Sequence, residues 1–362
     1  MTFSLCVIGL SAILFLVQLP LRRRGRSFAR IAVLLVKIFL FIFTAFISIS
    51  IISKITWNVG YLFGALYAAL GGDIIADLIC IAVELIRKKK SFRIQTVMTI
   101  LATLAFLIYG MVNMGTVRAN ELSFKSVKLK TSHTFVFLSD LHYGSAQTPE
   151  VVEKAIEKIK SYRPEFVVLG GDITDELTTK EEMKTIYSLL GSIGIPVYYV
   201  YGNHDRQASA ALIGGPAYTP GELEETIRVN GIAILKDNWV QISDDLVLFG
   251  REDFSESSRL PVKSLPAFPE KAFVLSVDHS PYQYSEIEEL GADFQMSGHT
   301  HAGQFFPLQF IYNMIGYDAY GLYRHGNTDV YVSSGISGWL FPFRTEAACN
   351  FEVVTLLPGG NE

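Results

Sequence analysis

The sequence predicts two structural classes in one chain: an N-terminal all-α bundle of four transmembrane helices in residues 1–118, and a layered α/β domain in 119–362. Three observations carry this prediction. Long apolar runs fill the first part, strand and helix periodicities alternate in the second, and the charge divides with them. Residues 1–118 hold 13 Lys/Arg against 3 Asp/Glu, and 119–362 hold 18 against 32, so the overall −4 conceals balances of +10 and −14. So acidic a domain repels a polyphosphate backbone, which argues against nucleic acid as a partner.

The four runs lie near residues 2–20, 31–55, 57–86 and 94–114, each long enough to cross about 30 Å of hydrocarbon. The first lacks a basic leader and a small-x-small cleavage site, so it reads as a retained span. Arg22, Arg23, Arg24, Arg26 and Arg30 follow it, and Arg87, Lys88, Lys89, Lys90 and Arg93 follow the third. Basic loops stay cytoplasmic, which places both termini and the acidic domain outside the cytoplasm of a cell-membrane protein. Gly71-Gly72-Asp73 and Asp77 interrupt the third run, and the expectation is a break near an interface where both carboxylates are wet.

Residues 119–132 read as a polar, Lys-dotted connector. The apolar run Phe135–Leu138 is then a buried strand delivering Asp140-Leu141-His142 at its carboxyl end, with Asp140 and His142 on one face. Thr148-Pro149 starts a helix whose Val152, Ala155/Ile156 and Ile159 recur at helical spacing. A strand to Asp172, a helix over about 180–191 and a strand after Pro196 imply parallel pairing. Short strands follow at 232–235, 239–242 and 246–249, then strand 272–277, a helix near 282–290, strand 293–297 and closing strands near 328–333 and 349–357.

Polar motifs end these strands: Asp140-x-His142, Gly171-Asp172-x-x-Asp175, Gly202-Asn203-His204-Asp205, Asp278-His279 and Gly298-His299-Thr300-His301. Asp, Asn and His without thiolate suit Mn, Fe or Zn and can build a two-metal site. Glycines before Asp172, Asn203 and His299 let the backbone turn sharply. Two close cations lower the pKa of a shared water and neutralise phosphoryl oxygens, so a metal-bridging hydroxide attacks a phosphate ester at neutral pH.

In this order the motifs resemble the calcineurin-like metallophosphoesterases over about residues 133–357, and Gly298–Gln304 is similar to the membrane-associated branch of that family. The resemblance implies a four-layer α/β/β/α sandwich. It also implies two divalent metal ions, one held by Asp140, His142 and His301, the other by Asn203, His279 and His299, with Asp172 bridging. His204 would contact the phosphate and assist the leaving group. Asp175, Asp205 and Asp278 are expected to orient neighbouring ligands, Asp278 by holding His279. Arg206, Arg344, His133 and His325 read as structural.

The apolar stretches Phe305–Ile311 and Trp339–Phe343 read as core beneath the site or as a greasy rim meeting the bilayer or an acyl chain. The expected activity is hydrolysis of a phosphodiester or a lipid-linked phosphate or pyrophosphate, with the bilayer and a phosphorylated small molecule or lipid as partners. Two alternatives stand beside it. One is a cytoplasm-facing hydrolase of a nucleotide-linked lipid, the other a non-enzymatic, metal-dependent phospholipid-binding module.

Overall fold

A computed structural model describes residues 33–42, 57–87 and 92–359. Helices α1 (Val33–Ile42), α2 (Trp57–Arg87) and α3 (Phe92–Met114) precede the strands. Among the described residues one segment, Thr96–Met114, is long and apolar enough to cross a membrane, in place of the four spans expected. The expected span at 2–20 and the flanks of that at 31–55 lie outside the described residues, as do most of the basic loop residues. The third run is one 31-residue helix with no break at Gly71-Gly72. A Cβ at Gly72 would collide with the Thr103 backbone, so glycine lets α2 and α3 approach closely.

The wet-interface expectation for Asp73 fails for a physical reason. Asp73 is buried, bound to the Lys37 ammonium at 2.7 Å and to the Thr99 hydroxyl at 3.2 Å, while Asp77 also pairs with Lys37. A carboxylate this far from water is held by an opposite charge.

Residues 118–359 form two six-stranded sheets packed face to face. The first sheet has the order β1 (Arg118–Ser126), β12 (Asn350–Pro358), β2 (His133–Leu138), β3 (Phe166–Leu169), β4 (Val197–Tyr199), β5 (Ala233–Ile234). Strands β2 to β5 run parallel, as the strand-helix alternation predicted. The supposed connector is in part strand β1, an edge strand whose Leu122 and Phe124 turn inward between polar neighbours. The second sheet has the order β10 (Gly321–His325), β11 (Thr328–Val332), β9 (Phe294–Ser297), β8 (Phe273–Val277), β7 (Leu246–Gly250), β6 (Asn238–Gln241).

Alternation along each strand decides which core it serves. Phe135, Phe137, Phe166 and Val168 face the second sheet's Leu248, Leu275, Phe294 and Met296. Val136, Leu138, Val167 and Leu169 face the opposite way, under α4 (Pro149–Ser161), α5 (Lys180–Gly191) and α6 (Pro220–Val229). The outer face of the second sheet has a thinner cover, chiefly α7 (Tyr284–Leu290) and the Leu265/Phe268 loop. The layers are helix, sheet, sheet and partial helix. The carboxyl ends of β2, β3, β4, β8 and β9 open toward one edge of this sandwich, and the loops there rest on α2 and α3.

Candidate metal centre

Each motif sits in the loop that leaves a strand. Asp140 and His142 follow β2, Asp172 follows β3, Asn203 and His204 follow β4, His279 follows β8, and His299 and His301 follow β9. Two groups result. Asp140, His142 and His301 offer ligand atoms within 4.8 Å of one another, and so do Asp172, His279 and His299. Asp172 belongs to both neighbourhoods, its Oδ2 lying 3.1 Å from His279 Nε2 and 3.9 Å from His142 Nε2. Asn203 presents a buried Oδ1 with no hydrogen-bond partner, beside the backbone that carries His204.

The imidazoles are oriented through their far nitrogens. Nδ1 of His142 lies 3.1 Å from Asp175 Oδ2, that of His301 3.0 Å from Ser337 O, and that of His279 2.7 Å from Gly170 O. Each of these oxygens accepts, so Nδ1 carries the proton and Nε2 turns a lone pair inward. His142 Nε2 and His301 Nε2 stand 3.2 Å apart, about the edge of a polyhedron around a cation at ~2.0–2.1 Å. His279 Nε2 is buried and faces the Asp172 carboxylate. Burial, with His279 nearby, pushes the His299 imidazole down to about 4, and burial first pushes His301 down to about 3. His142 and His279 go the other way: burial opposes their charge, but Asp175 beside the first and Asp172 beside the second outweigh it, so a cation, which needs neutral imidazole, displaces a proton there. The donor set therefore fits two divalent ions.

The backbone is strained where these ligands sit. Asp140, His142, Asp172, His299 and His301 all adopt left-handed φ, between 44° and 73°. Such conformations cost of order 1–3 kcal/mol each and persist where surrounding bonds over-determine them. Here Asp205 accepts N–H from Asp172 at 2.8 Å, Ile173 at 2.9 Å, Thr174 at 3.1 Å and Gly202 at 2.7 Å, tying the β3 and β4 loops together. Asp140 accepts the His299 N–H at 3.0 Å. A Cβ at Gly202 would collide with the Asp172 carboxylate, and one at Gly298 with that of Asp140, so both approaches require glycine.

Asp278 does not hold His279. Its carboxylate pairs with Arg259 at 2.7 Å, because adjacent residues of an extended chain point to opposite faces. Arg206 makes two 2.9 Å bonds to Glu252, while His133 and His325 pair with carboxylates away from the ligand groups. Arg344 is fully buried and donates to the carbonyls of His301 at 2.7 Å, Ser334 at 2.6 Å and Ser337 at 2.8 Å. It staples the His301 loop to the loop that supports Asp140.

Of two neighbours of His204, Glu176 carried no sequence signal and Trp339 read only as part of an apolar stretch. Glu176 Oε2 lies 2.7 Å from His204 Nδ1, and the Trp339 ring lies 5.2 Å from the imidazole with its indole nitrogen buried and unpartnered. Burial opposes a charge on His204, but Asp172 and the Glu176 bond outweigh it and the imidazole is pushed up to about 9. Asp172 is fully buried as well, yet the facing imidazoles of His279 and His204 hold its carboxyl well below the usual range.

Residues 133–303 match the family model described as calcineurin-like phosphoesterase. The chain carries a domain of the calcineurin-like metallophosphoesterase family. It is 30% identical over 235 residues to an uncharacterized metallophosphoesterase of Helicobacter pylori strain J99, covering 64% of this chain and 61% of that protein. It is 27% identical over 282 residues to a transmembrane protein with metallophosphoesterase domain of Danio rerio, covering 70% and 60%. It is 26% identical over 235 residues to phosphodiesterase YaeI of Escherichia coli, covering 61% and 80%. The chain thus spans about three-fifths of the length of the first two.

Proposed function

We propose that the chain is a membrane-anchored, dimetal-dependent phosphoesterase acting on a phosphodiester or a lipid-linked phosphate or pyrophosphate. One observation carries this reading: two ligand groups flank the buried Asp172, whose Oδ2 lies 3.1 Å from His279 Nε2 in one and 3.9 Å from His142 Nε2 in the other. Asp140, His142 and His301 would hold one ion and Asn203, His279 and His299 the other, with Mn, Fe or Zn suited to these donors. When bound, the ions supply a water activated near neutral pH and charge to neutralise the phosphoryl oxygens.

The chain itself supplies orientation and a proton. Asp172 receives the His204 N–H at 2.9 Å, which fixes the His204 backbone against the ligand groups. Glu176 occupies Nδ1, so His204 offers its Nε2 proton to the departing alkoxide. Trp339 shields that proton from water and offers its indole N–H to a phosphoryl oxygen. The relative named phosphodiesterase supports a diester substrate.

The test is hydrolysis of a chromogenic phosphodiester by the purified chain with Mn²⁺. Wild type should turn over, and His204→Ala should lose about 10²–10⁴ in kcat. Equal rates in the two end the hydrolase reading.

We further infer that the catalytic domain lies outside the cytoplasm. Support comes from the ten basic residues of the two loops around 22–30 and 87–93, and from the relative named a transmembrane protein. A phosphatase reporter, active only outside the cytoplasm, should be active when fused at the carboxyl terminus. An inactive reporter on an expressed fusion refutes this orientation.

A further inference from the structure

The loop that leaves His301 contains no Asp, Glu, Lys or Arg as far as Tyr317. Its residues divide between two environments. Phe305 is buried, with Phe341 and Phe343, against Phe41, Tyr67 and Phe106 of the apolar helices. The Tyr67 hydroxyl donates to the Phe306 carbonyl, and Gly110 O accepts the Arg344 N–H at 3.1 Å. The metal-ligand loops and α1 to α3 thus form one continuous core.

The other side faces outward. Phe306, Phe310, Met314 and Ile315, in and beside α8 (Leu308–Met314), are exposed, Phe310 at 63% and Met314 at 68%. Water gains nothing by meeting four large apolar side chains in so short a segment. Leu308 and Ile311 of the same helix join the core that includes Leu34, Tyr67 and Phe106. On α3, Val97, Ile100, Leu101, Leu104, Ile108 and Val112 are likewise exposed, at helical spacing. Helices α8 and α3 thus pack on one core, and each leaves an apolar face suited to hydrocarbon uncovered. Tyr317 leads from α8 back to the centre, its ring 5.1 Å from Tyr282, which lies 5.6 Å from His299.

We propose that Phe306, Phe310, Met314 and Ile315 seat in the bilayer that receives Thr96–Met114, so that the metal centre takes its phosphate ester from a lipid headgroup at the membrane surface. The substrate half rests on the hydrolase reading above; the docking half does not. Glu346 fits the placement. It accepts the Gln309 N–H at the start of α8, and burial pushes its carboxyl up to about 7, which lowers the charge beside hydrocarbon. An amphipathic segment of this kind lies in the interface with its apolar side buried ~5–10 Å.

The experiment uses the full chain in lipid nanodiscs. An environment-sensitive fluorophore is attached at Phe310→Cys or Met314→Cys in a Cys6→Ser background, Cys80 and Cys349 being buried. Val229→Cys, on the helix layer over the first sheet, is the aqueous control. Nitroxide on the acyl chains should quench the labels at 310 and 314 by at least about twofold, with blue-shifted emission, and leave that at 229 unchanged. Labels at 310 and 314 that behave like the one at 229 overturn the proposal. Energy transfer between copies without lipid quenching also overturns it, in favour of self-association. If wild type in the same discs fails to hydrolyse the soluble diester, the hydrolase reading falls and the docking result stands.

Discussion

Asp172→Asn is expected to lower kcat/KM on the soluble phosphodiester by about 10³-fold or more, with the fold intact. Removing one preorganised electrostatic group from a catalytic site costs ~10²–10³, and Asp172 serves both ligand groups. Its Oδ1 accepts the His204 N–H at 2.9 Å while Oδ2 lies 3.1 Å from His279 Nε2. An amide fills the same volume but satisfies only one of these demands. If its oxygen keeps the His204 N–H, its NH₂ meets the inward lone pair of His279 and donates to it, occupying the atom meant for a cation.

Stability should move differently. Burial works against the Asp172 charge, but the facing His279 and His204 outweigh it, so in the metal-free chain asparagine forfeits that attraction along with the desolvation cost. A ligand that binds the folded state at 100 times its Kd adds about 2.7 kcal/mol of stability, and this increment should be lost. Thermal unfolding with and without Mn²⁺ then shows a rise in Tm for wild type and little or none for Asp172→Asn. Activity within tenfold of wild type, or an undiminished Mn²⁺ shift, sinks the shared-ligand role.

The part of this site legible in the sequence is the part that local rules dictate. Phe135–Leu138 followed by Asp140-x-His142 gives a strand and two ligands, although the two meet through left-handed turns past the strand end and not through the extended alternation that the spacing suggests. The same rule, misapplied to neighbours, put Asp278 on His279, although adjacent side chains diverge. Strand β1 escaped because its inward residues, Leu122 and Phe124, are two among seven polar or small ones, and an edge strand buries only half its surface. Helix α6 is missing from the sequence reading although Thr219, Pro220 and Glu222 form a capping box with proline in the first turn. Glu176 was not legible. It is 28 positions from His204 in sequence, and only the meeting of the β3 and β4 loops brings them together. The membrane part shows a similar division: length and hydropathy mark α3 as a span, but nothing near Asp73 in sequence reveals Lys37, 36 positions earlier on a different helix.

Glu352→Gln is expected to stabilise the chain at pH 8 and to leave it unchanged near pH 4. Glu352 lies on β12, opposite Phe137, and points between the two sheets with Val354 and Leu356. It is fully buried, and only the Ser333 hydroxyl is near enough to act on its carboxyl, outside good hydrogen-bond geometry. Burial pushes the carboxyl up to about 8. Between the unfolded value near 4.3 and that folded value, the native state holds a proton that the unfolded state has released. Stability therefore falls as pH rises through this window, by roughly 5 kcal/mol once pH passes 8. Glutamine keeps the shape and cannot ionise, but its NH₂ needs partners as well, so the net gain at pH 8 should be about 2–4 kcal/mol. For a domain of this size that is a Tm higher by several degrees. Melting wild type and variant at pH 5 and pH 8 separates this from a packing effect. A Tm difference that is the same at both pH values would mean that Glu352 does not change its protonation on folding. The location makes the neutral form useful: Asp140 bears on Glu352 electrostatically, and an ionised Glu352 would add to the negative potential there. A carboxyl kept protonated between the sheets fills the core under Asp140 without competing with it for a cation.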